Sequence, residues 1–223
     1  YLRRLSGDAL AGLGAALINA MIFWDILYRS QQGVSVSFVE DIWTQNIVNL
    51  LVSPLRLREW IAATFLYGLM KTALIVCILT AIAGALYHFY LLDSLHFWLL
   101  PLVFNLLLFG WALGIFTASL VIRWGHAAEA LIWGIPFLVQ PFSAIFYPLD
   151  VLPAPMRAVS RLLPSTYVFE GMREVIRTGS MPAFYFWTGF GLDLVYFALA
   201  GLFFGWMFRQ ARDTGRLGRL GTD

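Results

Sequence analysis

The chain has 223 residues, of which 60% are hydrophobic and only 13% are charged, and its formal net charge is +2. Soluble globular chains carry roughly 25% charged residues, so this composition excludes a water-soluble domain and indicates a membrane protein. The single cysteine, Cys77, excludes a disulfide framework and a cysteine metal site. The small net charge gives no indication of a nucleic-acid-binding surface.

Five apolar runs follow one another along the chain, and each approaches the roughly 20 residues that a membrane-spanning helix needs. Polar loops separate them. The sequence therefore predicts an all-α polytopic membrane bundle that forms one domain, residues 1–223, with about five spans. The predicted spans are 9–28, 60–87, 98–122, a fourth that begins near Ala130 and runs into Pro141 and Pro148, and 184–208.

Orientation is predicted from the arginines in the short loops, because cytoplasmic loops retain basic residues. The bias is small, and the arginine-rich tail, 209–223, decides it. The tail and the polar segment 29–59 are placed in the cytoplasm, and the segment 148–183 is placed outside. The chain opens on Tyr1 rather than Met, with Arg3 and Arg4 close behind, so we also expect a preceding segment.

The polar segment 29–59 contains apolar residues at helical spacing, with acidic and amide side chains between them. This pattern predicts an amphipathic helix along the cytoplasmic membrane face that ends before Pro54. Such a helix could receive a push from a partner, or it could be an interfacial anchor without one. Its apolar residues are Val39, Ile42, Trp43, Ile47, Leu50 and Leu51.

Prolines break the fourth span and continue through the outer segment, 148–183. A short helix is predicted to begin at Ser165 or Thr166, either of which could cap it. Irregular backbone at membrane depth is tolerated only where protein or a water-filled cavity satisfies it. The segment is therefore predicted to be a re-entrant gate at the outer mouth, with an ordinary outer loop as the alternative. Acidic and basic side chains three residues apart could pair on one helix face, namely Glu170 with Arg173 and Glu174 with Arg177.

Both polar segments resemble those of ABC-2 type ABC transporter permeases. The cytoplasmic match comprises Glu40-x-x-Trp43, 46–51, Ser53-Pro54-Leu55-Arg56 and Glu59, and the outer match comprises Phe146-Tyr147-Pro148, Leu152-Pro153, Leu163-Pro164-Ser165-Thr166-Tyr167, Glu170 and Arg173. The resemblance implies six spans with both ends cytoplasmic, a cytoplasmic coupling helix, outer re-entrant helices and a permease dimer. Five spans are visible, so it also implies that the first helix lies outside this sequence.

The resemblance also implies roles for particular residues and partners. The ATPase-coupling residues would be Glu40, Trp43, Asn46, Pro54, Arg56, Arg58 and Glu59, and the outer gate would be formed by Pro148, Pro153, Pro164, Tyr167, Glu170 and Arg173. Partner ABC ATPase subunits would bind ATP and Mg²⁺, and a second permease copy would complete the transporter in the cell membrane, which we expect to be a bacterial inner membrane. The chain itself has no G-x-x-x-x-G-K-[ST] phosphate loop, so we expect it not to be an enzyme.

Four polar residues inside the predicted spans are candidates for functional contacts, because such residues are rare in lipid. They are Asp25, Lys71, Asn105 and Asp193. The ammonium group of Lys71 could snorkel, pair with Asp25 or line the transport path. Two small-x-x-x-small pairs predict close helix packing and are weak evidence for a dimer, namely Gly110 with Gly114 and Gly201 with Gly205.

No catalytic, cofactor-binding or metal residue is predicted. A metal site at His88, Asp93 and His96 is conceivable, but histidine at a headgroup boundary is usually interfacial. The predicted function is export of a lipid, glycan or drug-like amphipathic substrate, driven by ATP hydrolysis in partner subunits. The alternatives are a secondary transporter or channel, for which the spans hold few coupling charges, and a membrane scaffold for a peripheral protein.

Overall fold

In a computed structural model the chain is described over residues 7–44, 57–87 and 95–213, and these ranges contain helices and no strand. Short 3₁₀ turns lie at His96–Trp98, Gly125–Ala128, Gln140–Phe142 and Leu149–Val151. The helices are α1 (Gly7–Trp43), α2 (Leu57–Tyr87), α3 (Leu99–Trp124), α4 (Ala130–Val139), α5 (Ala154–Ser160), α6 (Pro164–Thr178) and α7 (Ala183–Asp213).

Within the described ranges, three helices are long and apolar enough to cross a membrane: α2 with its stretch Phe65–Ile82, α3 and α7. They correspond to the second, third and fifth predicted spans. Helix α1 contains the first predicted span, and the shorter apolar stretch Ala130–Phe142 covers the fourth. The prediction of an all-α polytopic membrane protein is confirmed.

The polar segment 29–59 was predicted to begin as a loop that leads into an amphipathic helix with Val39 as its first apolar residue, and the loop prediction is wrong for residues 29–38, which are helical. Helix α1 continues without interruption from the first predicted span to Trp43. Val34, Phe38 and Val39 are buried, so this stretch packs against neighbouring helices. The residues beyond 44 that were assigned to the amphipathic helix lie outside the described ranges.

The chain divides into two compact units, and α1, α2, α3 and α7 each contribute one section to both. The first unit consists of Tyr1–Ile26, Leu74–Leu106 and Gln140–Leu192, and the second of Leu27–Ala73, Leu107–Val139 and Asp193–Asp223.

In the second unit, α1 packs closely against α2 and α3 because glycines allow the backbones to approach. A Cβ atom at Gly33 would come within 3.0 Å of the Gly68 Cα in α2. A Cβ at Gly110 or Gly114 of α3 would come within 2.8 or 2.9 Å of a carbonyl oxygen of α1. This confirms the predicted close packing at Gly110 and Gly114 and places it within one chain.

An apolar cluster fills the remaining space of the second unit between α1, α3, α4 and α7. The Phe38 ring of α1 meets the Phe204 ring of α7 edge to face at 5.7 Å between centroids. The buried members are Phe38, Val39, Ala118, Leu120, Val121, Ile122, Ala128, Ile132 and Ala211. Helices α3 and α7 run parallel here, because two ring contacts, Phe109–Tyr196 and Phe116–Phe203, advance by the same number of residues on both helices.

In the first unit, the buried face of α6 packs on sections of α3 and α7. A Cβ at Gly171 of α6 would meet Leu102 of α3 at 3.5 Å and Tyr185 of α7 at 3.3 Å. Helix α6 begins at Pro164, and Leu163 is its N-cap without a side-chain bond, so the prediction that Ser165 or Thr166 caps the helix is wrong. It ends at Gly179, whose left-handed φ of 76° suits glycine.

Candidate functional site: an outer turn and a buried polar cluster

A tight turn follows α4. It belongs to the first unit and leads into the predicted outer segment. Helix α4 ends at Val139, a 3₁₀ turn covers Gln140–Phe142, and Ala144 then takes a left-handed φ of 52°. Ala144 is fully buried. A left-handed alanine costs about 1–2 kcal/mol relative to ordinary backbone, so neighbouring groups must hold the turn in this conformation.

Arg173 and Glu170 of α6 hold this turn. The Arg173 guanidinium donates hydrogen bonds to the carbonyl oxygens of Ala144, at 2.8 Å, and Ile145, at 3.2 Å. It also forms an ion pair with Glu170 at 2.7 Å, and the same Glu170 oxygen accepts a hydrogen bond from the backbone N–H of Leu149 at 2.7 Å. The two side chains are 22% and 20% exposed, so these charges are largely shielded from water.

Two hydroxyl groups in the first turn of α6 add further bonds to the same turn. Ser165 and Ser143 share a hydrogen bond of 2.8 Å, and the Thr166 hydroxyl donates to the carbonyl oxygen of Phe142 at 3.2 Å. Sequence reasoning considered Ser165 and Thr166 as helix caps and as part of the outer family match, and it did not single out Ser143 or Ala144. Ser165, Thr166, Glu170 and Arg173 thus bind the turn 142–149, and we call these four residues the outer clamp because their segment is predicted to lie outside.

The second predicted ion pair of α6 is also confirmed. Arg177 binds Glu174 at 2.6 Å, and the hydrogen bond that its guanidinium donates to the Glu174 carboxylate raises the pKa of Arg177 above its ordinary value. The Arg177 side chain is 72% exposed and lies at the surface.

The other predicted gate residues shape the ends of the short helices. Pro148 precedes the 3₁₀ turn Leu149–Val151, Pro153 is the N-cap of α5, and the buried Pro164 is the first residue of α6. The Tyr167 hydroxyl donates to the carbonyl oxygen of Arg161 at 2.9 Å. The outer clamp therefore brings together Glu170 and Arg173 of the predicted set, while the prolines and Tyr167 define the surrounding backbone.

A second polar cluster lies in the second unit, where α1 meets α3 and α4. The fully buried Gln31 side-chain amide is within hydrogen-bond distance of Ser35 Oγ at 3.0 Å, Thr117 Oγ1 at 3.2 Å and the Ile132 carbonyl oxygen at 3.2 Å. Ser35 and Thr117 also share a hydrogen bond and both reach the Gly114 carbonyl oxygen. Sequence reasoning missed this cluster because it assigned these residues of α1 to a loop.

The predicted ATPase-coupling residues lie around the end of α1 and the start of α2. Glu40 is exposed in the last turn of α1, and Glu59 is exposed in the first turn of α2. Trp43 and Arg58 belong to these helices, but their side chains are not described. Asn46, Pro54 and Arg56 lie outside the described ranges. The coupling role of this set stays a prediction.

The four predicted intramembrane residues have different surroundings. Asn105 is buried and donates to the Phe186 carbonyl oxygen at 3.4 Å, as expected for a bond between helices. Asp193 is fully buried on α7, and neither carboxylate oxygen has a hydrogen-bond partner in the part of the chain that is described. Lys71 is exposed on α2 with its Nζ 5.9 Å from the Tyr67 ring centroid, and Asp25 is half-buried on α1.

Over residues 7–44, 57–87 and 95–213, no group of three or more histidine, cysteine, aspartate and glutamate side chains is arranged to hold a metal ion. His88 and Asp93 of the conceivable site lie outside these residues. The contacts that surround the irregular backbone after α4 are hydrogen bonds and an ion pair.

The described residues contain three helices long and apolar enough to cross a membrane, so the chain belongs to the class of multi-spanning helical membrane proteins. The family model of the ABC-2 type transporter matches residues 9–176, and the chain belongs to that family. It is therefore a membrane-embedded permease subunit of an ABC transporter, and its partner is an ABC ATPase subunit. A search of curated proteins found no match.

Proposed function

We propose that this permease exports a lipid, glycan or drug-like amphipathic substrate by alternating access. ATP hydrolysis, with Mg²⁺, takes place in the partner ATPase subunits, and two permease copies form the transport path in a cell membrane, as in a bacterial inner membrane. The segment 29–59 receives the ATPase, the segment 148–183 forms the outer gate, and the tail 209–223 lies in the cytoplasm.

The observation that carries this proposal is the unbroken course of α1 from Gly7 to Trp43. At 1.5 Å per residue, a helix of 37 residues is about 55 Å long, which exceeds the hydrocarbon thickness of a bilayer. A displacement applied at its carboxyl end would act on one continuous helix. In this proposal, the ATPase applies that displacement near Glu40.

The charge at the end of α1 supports a docking partner there. Glu40 lies in the last helical turn, which contains no basic residue. The carboxyl end of a helix carries partial negative charge, so an acidic side chain there is unfavourable by about 0.3–1 kcal/mol. A basic side chain on the ATPase subunit would offset this repulsion, and binding to Glu40 would then be favoured.

The outer clamp supports the gating part of the proposal. Four side chains of α6 bind the turn 142–149 through backbone carbonyl, amide and hydroxyl groups. A turn held by so many bonds moves together with α6 rather than deforming by itself. A gate needs such a unit, because its backbone must stay hydrogen-bonded in both the open and the closed state.

The proposal is tested by co-purification of the permease with its ATPase subunit and by the ATP turnover of the complex. We expect the variant Glu40→Ala/Trp43→Ala to lose most of the bound ATPase. The matched control is Glu174→Ala/Trp187→Ala, which removes the same residue types from the predicted outer end and should retain the complex. Equal retention of the ATPase by both variants would contradict the coupling assignment.

The substrate class is tested in the reconstituted complex by measuring ATP turnover with lipids, lipid-linked glycans and amphipathic drugs. We expect one class to stimulate turnover. Transport by the purified chain in vesicles without any ATPase would instead identify a channel or secondary transporter. Binding of the ATPase without stimulation by any class, and without transport, would favour a scaffold.

A further inference from the structure

Helix α4 contains a proline, and this leaves one backbone carbonyl of the helix without its usual partner. In an α-helix the carbonyl oxygen of Ile132 accepts a hydrogen bond from the N–H of residue 136. That residue is Pro136, which has no N–H. An unsatisfied carbonyl in an apolar environment is costly, so another donor is needed.

Two glutamine side chains of α1 supply the missing donors. The Gln32 amide nitrogen lies 3.0 Å from the Ile132 carbonyl oxygen, and the Gln31 amide nitrogen lies 3.2 Å from it. Gln32 also donates to the Gln31 side-chain oxygen at 3.0 Å, so the two amides form one unit. We call these two side chains the glutamine pair.

Two further features place α1 beside α4, one on each side of the glutamine pair. Towards the carboxyl end of α4, the Tyr28 and Phe137 rings lie 5.9 Å apart. In the other direction, Val39 of α1 belongs to the same buried apolar cluster as Ala128 and Ile132. Helices α1 and α4 therefore pack antiparallel, and the hydrogen bonds of the glutamine pair meet α4 at its backbone break.

A broken hydrogen bond in a helix is a place where the helix bends at low cost. Because the replacement donors come from α1, a shift of α1 moves the acceptor carbonyl of α4 as well. We propose that Gln31 and Gln32 are positioning residues that transmit movement of α1 to α4 at Pro136 during the transport cycle. This inference rests on the proposed function, in which the ATPase moves α1.

A purely structural role is the alternative, in which the glutamine pair only satisfies the Ile132 carbonyl. The substitution Pro136→Ala separates the two roles, because it restores the N–H of residue 136 inside α4. In Gln31→Met/Gln32→Met/Pro136→Ala the carbonyl is satisfied within its own helix, but the bonds from α1 are absent. Protein stability should then recover, but the transmission of movement from α1 to α4 should not.

The experiment uses the complex with its ATPase subunit in lipid nanodiscs. The native cysteine is replaced by Cys77→Ala, and a spin label is attached through Leu138→Cys, a position of α4 beyond Pro136 that is 68% exposed. Label accessibility to oxygen is measured with and without ATP plus vanadate, and the thermal unfolding midpoint is measured for each variant. The matched control is Ser119→Ala, which removes a buried hydroxyl that bonds within α3 to the Ile115 carbonyl oxygen.

We expect ATP plus vanadate to change label accessibility in the labelled protein that keeps Gln31 and Gln32, and also in its Ser119→Ala variant. The change should shrink by about fivefold or more in Gln31→Met/Gln32→Met, because the hydrogen bonds that couple α4 to α1 are absent. In the triple variant the unfolding midpoint should return to that of Pro136→Ala, and the accessibility change should stay small.

A triple variant that regains the accessibility change together with its stability would overturn the inference and assign the glutamine pair a structural role. An unchanged response in the double variant would overturn it as well. If the double variant does not fold, the triple variant alone decides. If the complex assembles but the chain with both glutamines shows no response to ATP, the proposed function itself fails. Loss of the response only in the glutamine variants is a different result, and it supports the inference.

Discussion

Replacing Arg173 with methionine should destabilise the turn 142–149. Arg173 donates hydrogen bonds to the carbonyl oxygens of Ala144 and Ile145 and to Glu170. Hydrogen bonds to charged groups each contribute about 1.5–3 kcal/mol. The side chain is about one-fifth exposed, so water replaces part of this loss, and the expected decrease in the free energy of unfolding is about 3 kcal/mol.

Arg177→Met is the matched control for this prediction. It lies on the same helix, and both of its side-chain hydrogen bonds go to a glutamate three residues earlier, Glu174. The two arginines therefore have the same type of ion pair, but Arg173 also binds two carbonyl groups of the turn. Because Arg177 is mostly exposed, its replacement should change the stability little.

The assay is unfolding of the purified permease in detergent, together with limited proteolysis within the turn 142–149. We expect Arg173→Met to lower the unfolding midpoint and to speed cleavage in the turn, and Arg177→Met to leave both close to their original values. Retention of the ATPase should be unaffected, since the ATPase binds elsewhere in the proposed function. Equal effects of the two substitutions would refute the argument that the carbonyl contacts hold the turn.

Three further predictions concern single positions. Gly114→Ala should destabilise the protein by about 1–3 kcal/mol, because a Cβ there would come within 2.9 Å of the Gln31 carbonyl oxygen. Its control is Gly205→Ala, where a Cβ would meet open space, and this variant should be neutral or stabilising in thermal unfolding. Ala144→Gly should raise stability by about 0.5 kcal/mol, since relief of the left-handed strain slightly exceeds the added entropy of the unfolded chain. The Asp193→Asn variant should be at least as stable as the original chain, because it removes a buried carboxyl group that lacks a partner in the described ranges. A lower unfolding midpoint would show that the Asp193 carboxylate has a binding partner.

The parts of the fold that depend on local pattern could be predicted from the sequence. The predicted spans 60–87 and 184–208 correspond to α2 and α7 within a few residues, because a long apolar run leaves little alternative to a spanning helix. The ion pairs of α6 were also predicted, since side chains three residues apart share a helix face.

The buried polar cluster could not be predicted, because its members are distant in sequence. Gln31 and Thr117 are 86 positions apart, and nothing local to either residue indicates the other. The polar side chains of residues 30–37 therefore indicated a water-exposed loop, whereas Ser30, Gln31 and Ser35 are buried among helices. Polarity shows that a side chain needs hydrogen bonds, but it does not show whether water or a neighbouring helix supplies them. Pro136 was the available signal, because a proline inside an apolar run leaves a carbonyl that requires an outside donor.

Two backbone irregularities, one inside α4 and one in the turn after it, obey the same physical rule. The carbonyl of Ile132, which Pro136 leaves free, binds the glutamine pair of α1, and the left-handed turn at Ala144 binds Arg173 of α6. In a membrane, such backbone groups cannot exchange a protein partner for lipid, so a movement that separated donor and acceptor would leave the acceptor unsatisfied. In the proposed function, the side chains that satisfy irregular backbone therefore couple the helices that move. For this permease, those side chains belong to α1, which ends at the predicted ATPase contact, and to α6, which holds the predicted outer gate.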